Sequence, residues 1–429
     1  MLRKITLFFV GLMSFISVSG QQSLTLSEAI DRALRNNYQI KIAKANVEVA
    51  ANNNTMGMAE MLPSLSYNLT NANSLNMVDN PASFLRGEYT LYSLRNNIDL
   101  NWTVFNGFRA WITKDMLAKL VEFSMGNSVV VVENTIQATV LSYNRVLLER
   151  ERLEVFKNVL ELSRSRYENV RERQKLGTAV TFDVLLVKNN MLSDSSALML
   201  QQITYNNALR NLNLIMAEDV GVKFLPVDSL APLAVIYDLE NLKRKMLSNN
   251  TTLKNQFVNA EILRKESGIA QADLFPRINL NAGHNVSENW ISHENFNGRG
   301  GARDYYGNFT LSFNLFNGGR VRNNIQNAKI QERIAQLNIN EMEQSMLNQI
   351  IQLYELYVAR TAILSISREN FQSAEINLNL AKERLWGGTI TSFDYRDVQL
   401  NYMNAAQVYL SSVYDQIETH TELLRLTGG

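Results

Sequence analysis

Apolar residues recur at every second position in four short segments of the chain. In each segment one set of alternate positions is apolar and the other is polar; the segments are residues 64–70, 98–104, 277–282 and 308–315. A period of two is typical of a strand with one apolar and one polar face. We therefore predict four amphipathic β-strands.

Long stretches of the chain follow a helical period instead. Residues 108–174 contain one glycine and no proline, and residues 320–386 contain neither. A helix over 67 residues is about 100 Å long at 1.5 Å per residue. Apolar residues stand seven apart at Val146, Leu153, Leu160 and Tyr167, and again at Ile350, Tyr357, Leu364, Phe371, Leu378 and Leu385. A sustained heptad predicts coiled-coil packing. Shorter helices are predicted over residues 26–61, 181–216, 238–275 and 391–427.

These elements are arranged as one pattern that occurs twice. Asn36-Asn37 recurs as Asn249-Asn250 at an offset of 213, and Phe105-Asn106-Gly107 recurs as Phe316-Asn317-Gly318 at an offset of 211. A duplication of this length predicts a pseudo-symmetric protomer. We predict a first repeat over residues 21–217, an irregular linker over 218–238 and a second repeat over 239–429.

The N-terminus has the features of a secretory signal peptide over residues 1–20. Arg3 and Lys4 precede an apolar stretch, and Val18-Ser19-Gly20 places small residues before a cleavage point at Gln21. The apolar stretch is shorter than the roughly 20 residues that a membrane-spanning helix needs. We therefore expect an exported protein that enters a membrane, if at all, through its strands.

Composition argues against several classes of function. The absence of cysteine excludes disulfides and thiolate metal sites, and a formal charge of +1 offers no basis for binding nucleic acid. His284, His293 and His420 are the only histidines. Since no paired catalytic constellation, phosphate loop or metal cluster is visible, we expect neither an enzyme nor a cofactor.

The predicted strands suit a transmembrane barrel, although a half-buried soluble sheet gives the same alternation. The exported context and two long polar segments, residues 72–96 and about 286–306, favour the barrel, with these segments as extracellular loops. Four strands cannot close a barrel, because small barrels need about eight and open edges are not tolerated in lipid. The membrane interpretation therefore requires oligomerisation, and three copies would supply about twelve strands.

Taken together, these features resemble the outer-membrane efflux protein family of TolC-like channels. The residues that carry the resemblance are the Leu62-Pro63 and Phe275-Pro276 pairs before strands, the two Phe-Asn-Gly turns after them, and the two Gly-Thr turns that are followed by Phe-Asp. The resemblance implies a homotrimer with a twelve-stranded barrel in the outer membrane and a twelve-helix tunnel in the periplasm. It also implies a periplasmic adaptor protein and an inner-membrane transporter as partners.

The resemblance further points to a pore constriction at the start of the last helix. Asp394 and Asp397 share a helix face by their i, i+3 spacing, and acidic residues at these positions of the family look into the tunnel. For Asp183 and Asp394 a role near a helix N-terminus is the alternative. Asp397 has Leu186 as its repeat partner, so capping symmetry does not account for it. The tyrosine and arginine expected to latch the closed tip are Leu385 and Ile390 in this chain. Either Arg384 or Arg396 substitutes for the latch, or the tip closes by apolar contact at Leu385 and Ile390.

The turns between the paired helices are the predicted docking site for the adaptor: Leu176, Gly177 and Thr178 in the first repeat, and Leu385, Gly387, Gly388 and Thr389 in the second. The function expected is a passive outer-membrane channel of a tripartite efflux or type I secretion system. A secreted coiled-coil spacer or adhesin is the alternative, because it would share the heptads and the lack of cysteine. The nature of the cargo does not follow from the sequence.

Overall fold

A computed structural model describes residues 22–428, so that the predicted signal peptide lies outside the described residues. Eight helices are found in this part of the chain: α1 (Leu26–Asn36), α2 (Tyr38–Asn53), α3 (Arg109–Lys175), α4 (Thr181–Met216), α5 (Leu239–Asn249), α6 (Thr251–Ala272), α7 (Arg320–Trp386) and α8 (Ser392–Thr427). The strands are β1 (Gln22–Leu24), β2 (Ser64–Val78), β3 (Gly87–Asn106), β4 (Phe224–Pro226), β5 (Arg277–His293) and β6 (Phe296–Ser312).

The lengths of the helices repeat between the two halves. α3 and α7 each have 67 residues, and α4 and α8 each have 36. The two very long helices and their two shorter partners are therefore confirmed. Most of the predicted heptad positions are buried, among them Val146, Leu153, Ile350, Tyr357 and Leu364.

The helices predicted over 26–61 and 238–275 are wrong as single elements, because each is divided at an asparagine. The Asn37 side chain donates to the carbonyl of Ile215 at 2.8 Å, and the Asn250 side chain donates to the carbonyl of Leu426 at 3.0 Å. Asn250 also caps α6 by accepting from the Leu253 amide at 2.9 Å. An asparagine that bonds to backbone in this way competes with helix continuation, which is why the repeated Asn-Asn pair divides a helix in both halves.

The four long strands form one antiparallel sheet in the order β2-β3-β5-β6. The loops predicted over 72–96 and 286–306 are wrong in extent, since β2 pairs with β3 as far as Val78 opposite Gly87, and β5 pairs with β6 as far as His293 opposite Phe296. Backbone pairing needs no apolar alternation where both faces of a hairpin are solvated. The polar composition of these segments therefore concealed strands.

Large apolar side chains are exposed on the edge strands of this sheet. Leu65, Tyr67 and Leu69 on β2 and Phe309 and Leu311 on β6 are each more than half exposed. They keep the alternation that the sequence shows. An apolar face that none of the described residues covers is consistent with a face turned to lipid.

By its internal packing the chain divides into two compact units, each of which takes elements from both repeats. The first comprises the residues up to Tyr38, Glu133–Asp238 and Gln352–Arg425. The second comprises Gln39–Val132, Leu239–Ile351 and the residues from Leu426, and it contains the four-stranded sheet. None of the helices between residues 22 and 428 is long and apolar enough to cross a membrane.

Hydrogen bonds of the Tyr143 hydroxyl connect distant segments of the first unit. The Tyr143 hydroxyl contacts the carbonyl of Leu24 at 2.9 Å and donates to the Asp228 carboxylate at 2.7 Å. Phe224, on β4, lies in the same buried cluster. β1 and β4 pair in parallel, so the predicted linker over 218–238 contains a short strand as well as irregular structure.

Candidate functional site

Both helix turns of the first unit have the geometry of a Schellman motif. In the first, Gly177 has φ +74°, the Thr178 amide donates to the carbonyl of Arg173 at 2.8 Å, and the Gly177 amide donates to that of Gln174 at 2.9 Å. Bonds of this pattern satisfy the last carbonyls of a helix and place a left-handed residue, usually glycine, just after it.

The second turn repeats the arrangement. Gly388 has φ +72°, and the Thr389 amide donates to the carbonyl of Arg384 at 2.9 Å. The Thr389 hydroxyl donates to the same carbonyl at 3.1 Å, as that of Thr178 does to the carbonyl of Arg173 at 3.0 Å. In each Gly-Thr pair the backbone amide and the hydroxyl of the threonine thus both bond to the same carbonyl at the end of the helix.

Each turn presents an open surface. No described atom lies within 4 Å of a Cβ built at Gly177 or at Gly388. Leu176 is 78% exposed, whereas Leu385 is partly buried and packs with Ile390 against the cluster that contains Tyr395. Leu385 and Ile390 thus pack against one apolar cluster within the same chain.

Asp394 forms a reciprocal N-terminal cap on α8. The Asp394 amide donates to the Thr391 hydroxyl at 3.2 Å, and its carboxylate accepts from the Thr391 amide at 3.0 Å and from the Thr391 hydroxyl at 2.7 Å. These bonds lower the pKa of the Asp394 carboxyl below its ordinary value. Because the folded-state pKa lies below the unfolded one, the cap is present at neutral pH and is lost only as the pH falls through the folded pKa.

The other two predicted acids are placed differently. Asp183 follows an uncapped helix start, since Val180 stands at the N-cap of α4 and makes no side-chain bond there. Asp397 is exposed, and among the described residues no hydrogen bond or ion pair involves its carboxylate. The structure therefore brings Asp394 and Asp397 to the same end of α8, and of the two only the Asp394 carboxylate is bonded within the described residues.

A buried charge cluster lies below these turns, between α3, α4 and α8. The Arg396 guanidinium donates to both oxygens of the Asp194 carboxylate, at 2.7 and 2.8 Å. Ser163 donates to the same carboxylate, and Gln399 joins Arg396 to Ser163 by bonds of 3.1 and 2.9 Å. Asp194 is only 5% exposed, so these partners replace nearly all of the hydration that its carboxylate loses on burial.

Arg166 is a second buried cation beside this ion pair. It is 3% exposed, and its Nε and Nη2 have no hydrogen-bond partner among the described residues. Nη1 reaches only the carbonyl of Ser392 at 3.4 Å, and the guanidinium lies 6.0 Å from the centre of the Tyr395 ring. Burial, and then repulsion from Arg396, lower the pKa of Arg166 to about 10. It lines a cavity of about 20 Å³ together with Lys382 and Trp386.

Sequence reasoning proposed Arg396 only as a substitute latch and missed its partners. One signal was available, namely the departure from repeat symmetry. At an offset of 211, Asp194 corresponds to Ala405 and Arg396 to Leu185. Asp194 and Arg396 are therefore charges at positions where the other repeat has an apolar residue, and this difference was visible in the sequence.

His284 and His293 lie on the sheet and not at a metal centre. His284 stacks on the Tyr305 ring with centroids 4.1 Å apart, and His293 contacts the carbonyl of Arg86 at 2.8 Å. No group of acidic residues and histidines suited to a metal ion occurs between residues 22 and 428.

Comparisons with known proteins agree with this arrangement. The sequence model of the outer membrane efflux protein family matches residues 242–429. The CmeC outer membrane channel of Campylobacter jejuni has a TM-score of 0.77 at 16% identity, over 94% of this chain and 85% of that chain. VceC of Vibrio cholerae has a TM-score of 0.71 at 16% identity, over 94% and 96%. The open state of the MtrE channel of Neisseria gonorrhoeae has a TM-score of 0.73 at 14% identity, over 94% and 89%. No curated protein matches the chain at the level of sequence.

The described chain, with its four-stranded sheet and two 67-residue helices that turn back through Schellman motifs, is thus similar in fold to solved outer membrane channels. The family model matches less than half of the chain, and the solved structures, at 14–16% identity, share its fold over 94% of its length.

Proposed function

We propose that this chain is the outer-membrane channel of a tripartite efflux or type I secretion system. It acts as a passive conduit from a periplasmic adaptor and an inner-membrane pump to the exterior. The observation that carries the proposal is the sheet, in which both edge strands are open and apolar side chains are exposed at alternate positions. Such a sheet is stable in a membrane only when further copies close it.

Asp394, Asp397 and Asp183 form the proposed constriction. In a trimer, the first two contribute six carboxylates around a narrow pore, which attract cations and repel anions. Asp394 also holds the start of α8 through Thr391, so that its charge and its structural role must be separated by experiment. Asp397 has no bonding role in the described residues and is the better probe.

The test is conductance of the detergent-extracted protein in planar bilayers. We expect a cation-selective pore that purifies as a trimer, and Asp397→Asn should lower the ratio of cation to anion permeability by at least about fourfold. One carboxylate at about 5 Å from an ion in water contributes about 0.8 kcal/mol. Asp394→Asn is read against Thr391→Ala, because Thr391→Ala weakens the cap that Asp394 makes without removing a charge.

Two outcomes would contradict these proposals separately. Unchanged selectivity of Asp397→Asn, in a channel that still conducts, would remove the acidic constriction and leave the channel intact. Extraction by salt alone, without conductance, would support the coiled-coil spacer instead.

A further inference from the structure

The first repeat shows how a Phe-Asn-Gly turn docks on the end of a helix. Gly107 has φ +68°, and a Cβ at this position would lie 2.4 Å from the carbonyl oxygen of Ala272. Phe108 packs edge-on against Phe275 with ring centroids 6.4 Å apart. Arg109, at the start of α3, forms an ion pair with Asp273. The turn that ends β3 is therefore fitted closely to the end of α6, which belongs to the other repeat.

The second repeat has the same turn without anything to dock on. Gly318 also has φ +68°, but no described atom lies within 4 Å of a Cβ built there. Leu315 and Phe316 are 87% and 85% exposed. Arg320, the repeat equivalent of Arg109, is exposed and takes part in none of the ion pairs formed within residues 22–428. The backbone conformation is retained, and only the partner is missing.

The missing partner can be found from the repeat. At an offset of 213, the segment Ala272–Phe275 corresponds to residues 59–62, and Asp273 corresponds to Glu60. Glu60 is exposed and forms no ion pair with any described residue, and Leu62 is 57% exposed. These residues precede β2, at one edge of the sheet, whereas Gly318 follows β6, at the opposite edge. One chain cannot bring them together across its own sheet.

The ends of β3 and β6 also point to the start of β2 as the missing partner. β3 continues to Asn106 because β5 pairs with it there, with Asn106 opposite Arg277. β6 ends at Ser312, although its sequence equivalent of Asn106 is Asn317. No strand of the described chain pairs with residues 313–317. The residues equivalent to the start of β5 are those at the start of β2, whose outer edge is open.

We propose that β6 of one copy pairs with β2 of the next copy in the register of the internal β3–β5 pair, and that Arg320 binds Glu60 of the next copy. The internal pairs Asn106 with Arg277 and Asn101 with Asn281 become Asn317 with Ser64 and Ser312 with Asn68. Residues 313–317 extend β6 in this arrangement, and the exposed Phe-Asn-Gly turn covers residues 59–62 of the neighbour. The proposal rests on the trimeric channel of the proposed function and specifies how its copies join.

Cysteine cross-linking tests the register without background, because the chain contains no cysteine. We expect Ser312→Cys with Asn68→Cys to form disulfides between copies, giving a ladder of covalent dimer and trimer that stops at the trimer. The side chains of the internal equivalents, Asn101 and Asn281, are hydrogen-bonded to each other, so Asn101→Cys with Asn281→Cys should link within one chain. Ser312→Cys with Thr70→Cys is the control for a register shifted by two residues.

Charge exchange tests the ion pair. Arg320→Glu or Glu60→Arg alone should lower the temperature at which the trimer dissociates in mild detergent, and the two together should restore it. Efficient cross-linking of the shifted pair, or no cross-link in a trimer that is intact by native mass, would overturn the register and leave the channel standing. Failure to restore the dissociation temperature would overturn the ion pair. Protein that forms no trimer in detergent would contradict the proposed function as well.

Discussion

At the scale of single residues, the two arginines beside the helix turns differ in whether they neutralise a carboxylate. Arg396 neutralises Asp194 through two charge-assisted bonds, whereas Arg166 has two buried nitrogens without partners. Removing one partner of a buried ion pair leaves an uncompensated charge and is strongly destabilising, whereas removing a buried charge that already lacks a partner also removes its desolvation cost.

We therefore expect Arg396→Met to destabilise the protein by about 3–5 kcal/mol, because it leaves the Asp194 carboxylate unpaired. Arg166→Met should be neutral or stabilising. Thermal unfolding of the full chain in detergent, followed by circular dichroism, measures the difference. Adding Asp194→Leu to Arg396→Met should recover most of the loss. Equal losses in the two arginine variants would show that Arg166 has a partner of its own.

The candidate site could be predicted only partly at this scale. Asp394, Asp397 and the two Gly-Thr turns were accessible because they stand in recognisable order at helix boundaries. The bond between Asp394 and Thr391 was not, because either role for the carboxylate was compatible with the sequence. Asp194 and Ser163 come together with Arg396 only through the packing of three helices, and no local pattern records that.

At the scale of elements, the long helices depend on how they end. Gly177 and Gly388 adopt left-handed conformations that cost an L-residue roughly 1–2 kcal/mol. Open space around them means that this cost comes from the backbone and not from a clash. The neighbouring Gly387 has no positive φ, and a Cβ there would make ordinary contacts of 3.5 Å or more.

We expect Gly388→Ala to lower the stability of the protein by about 1 kcal/mol and Gly387→Ala to be neutral or slightly stabilising, since alanine restricts the unfolded chain. Unfolding midpoints of both variants in the same detergent provide the comparison. A larger loss for Gly387→Ala than for Gly388→Ala would be inconsistent with the Schellman geometry of this turn.

Element types were easier to predict than element ends. The heptads and the lack of proline indicate α3 and α7, because in a 67-residue helix the apolar period repeats many times along the sequence. The breaks at Asn37 and Asn250 and the full extent of β2, β3, β5 and β6 escaped, because they depend on hydrogen bonds to distant segments. Asn37 bonds to a carbonyl 178 residues away, and no window of sequence contains both partners.

At the scale of the whole molecule, the exposed turns offer a route to the partner proteins. Leu176 is the most exposed apolar residue of the first turn. Val180 and Phe182 at the same turn are also more than half exposed, and exposed apolar patches mark sites of protein interaction. We propose that the adaptor binds at these turns, while its identity and that of the pump are open to experiment.

A cysteine at position 176 should capture this adaptor. We expect Leu176→Cys, treated in cells with a short thiol-to-amine cross-linker, to yield a covalent adduct with a periplasmic protein. Met199→Cys is the matched control, as Met199 is 66% exposed but lies along α4, away from the turn. Adducts of equal yield at both positions would show that capture reflects exposure alone and would contradict docking at the turn.

By itself the sequence determined its internal repetition and the types of the main elements, because periodicity and the order of short motifs record both. Tertiary structure decided which charges are buried together and where the helices break. It also decided which elements of the two repeats pack into the same compact unit. The physical reason is that periodicity shows only whether one face of a helix or strand is apolar or polar. Which residues meet across that face depends on segments that are far apart in the chain, and for Arg320 and Glu60 on a second copy.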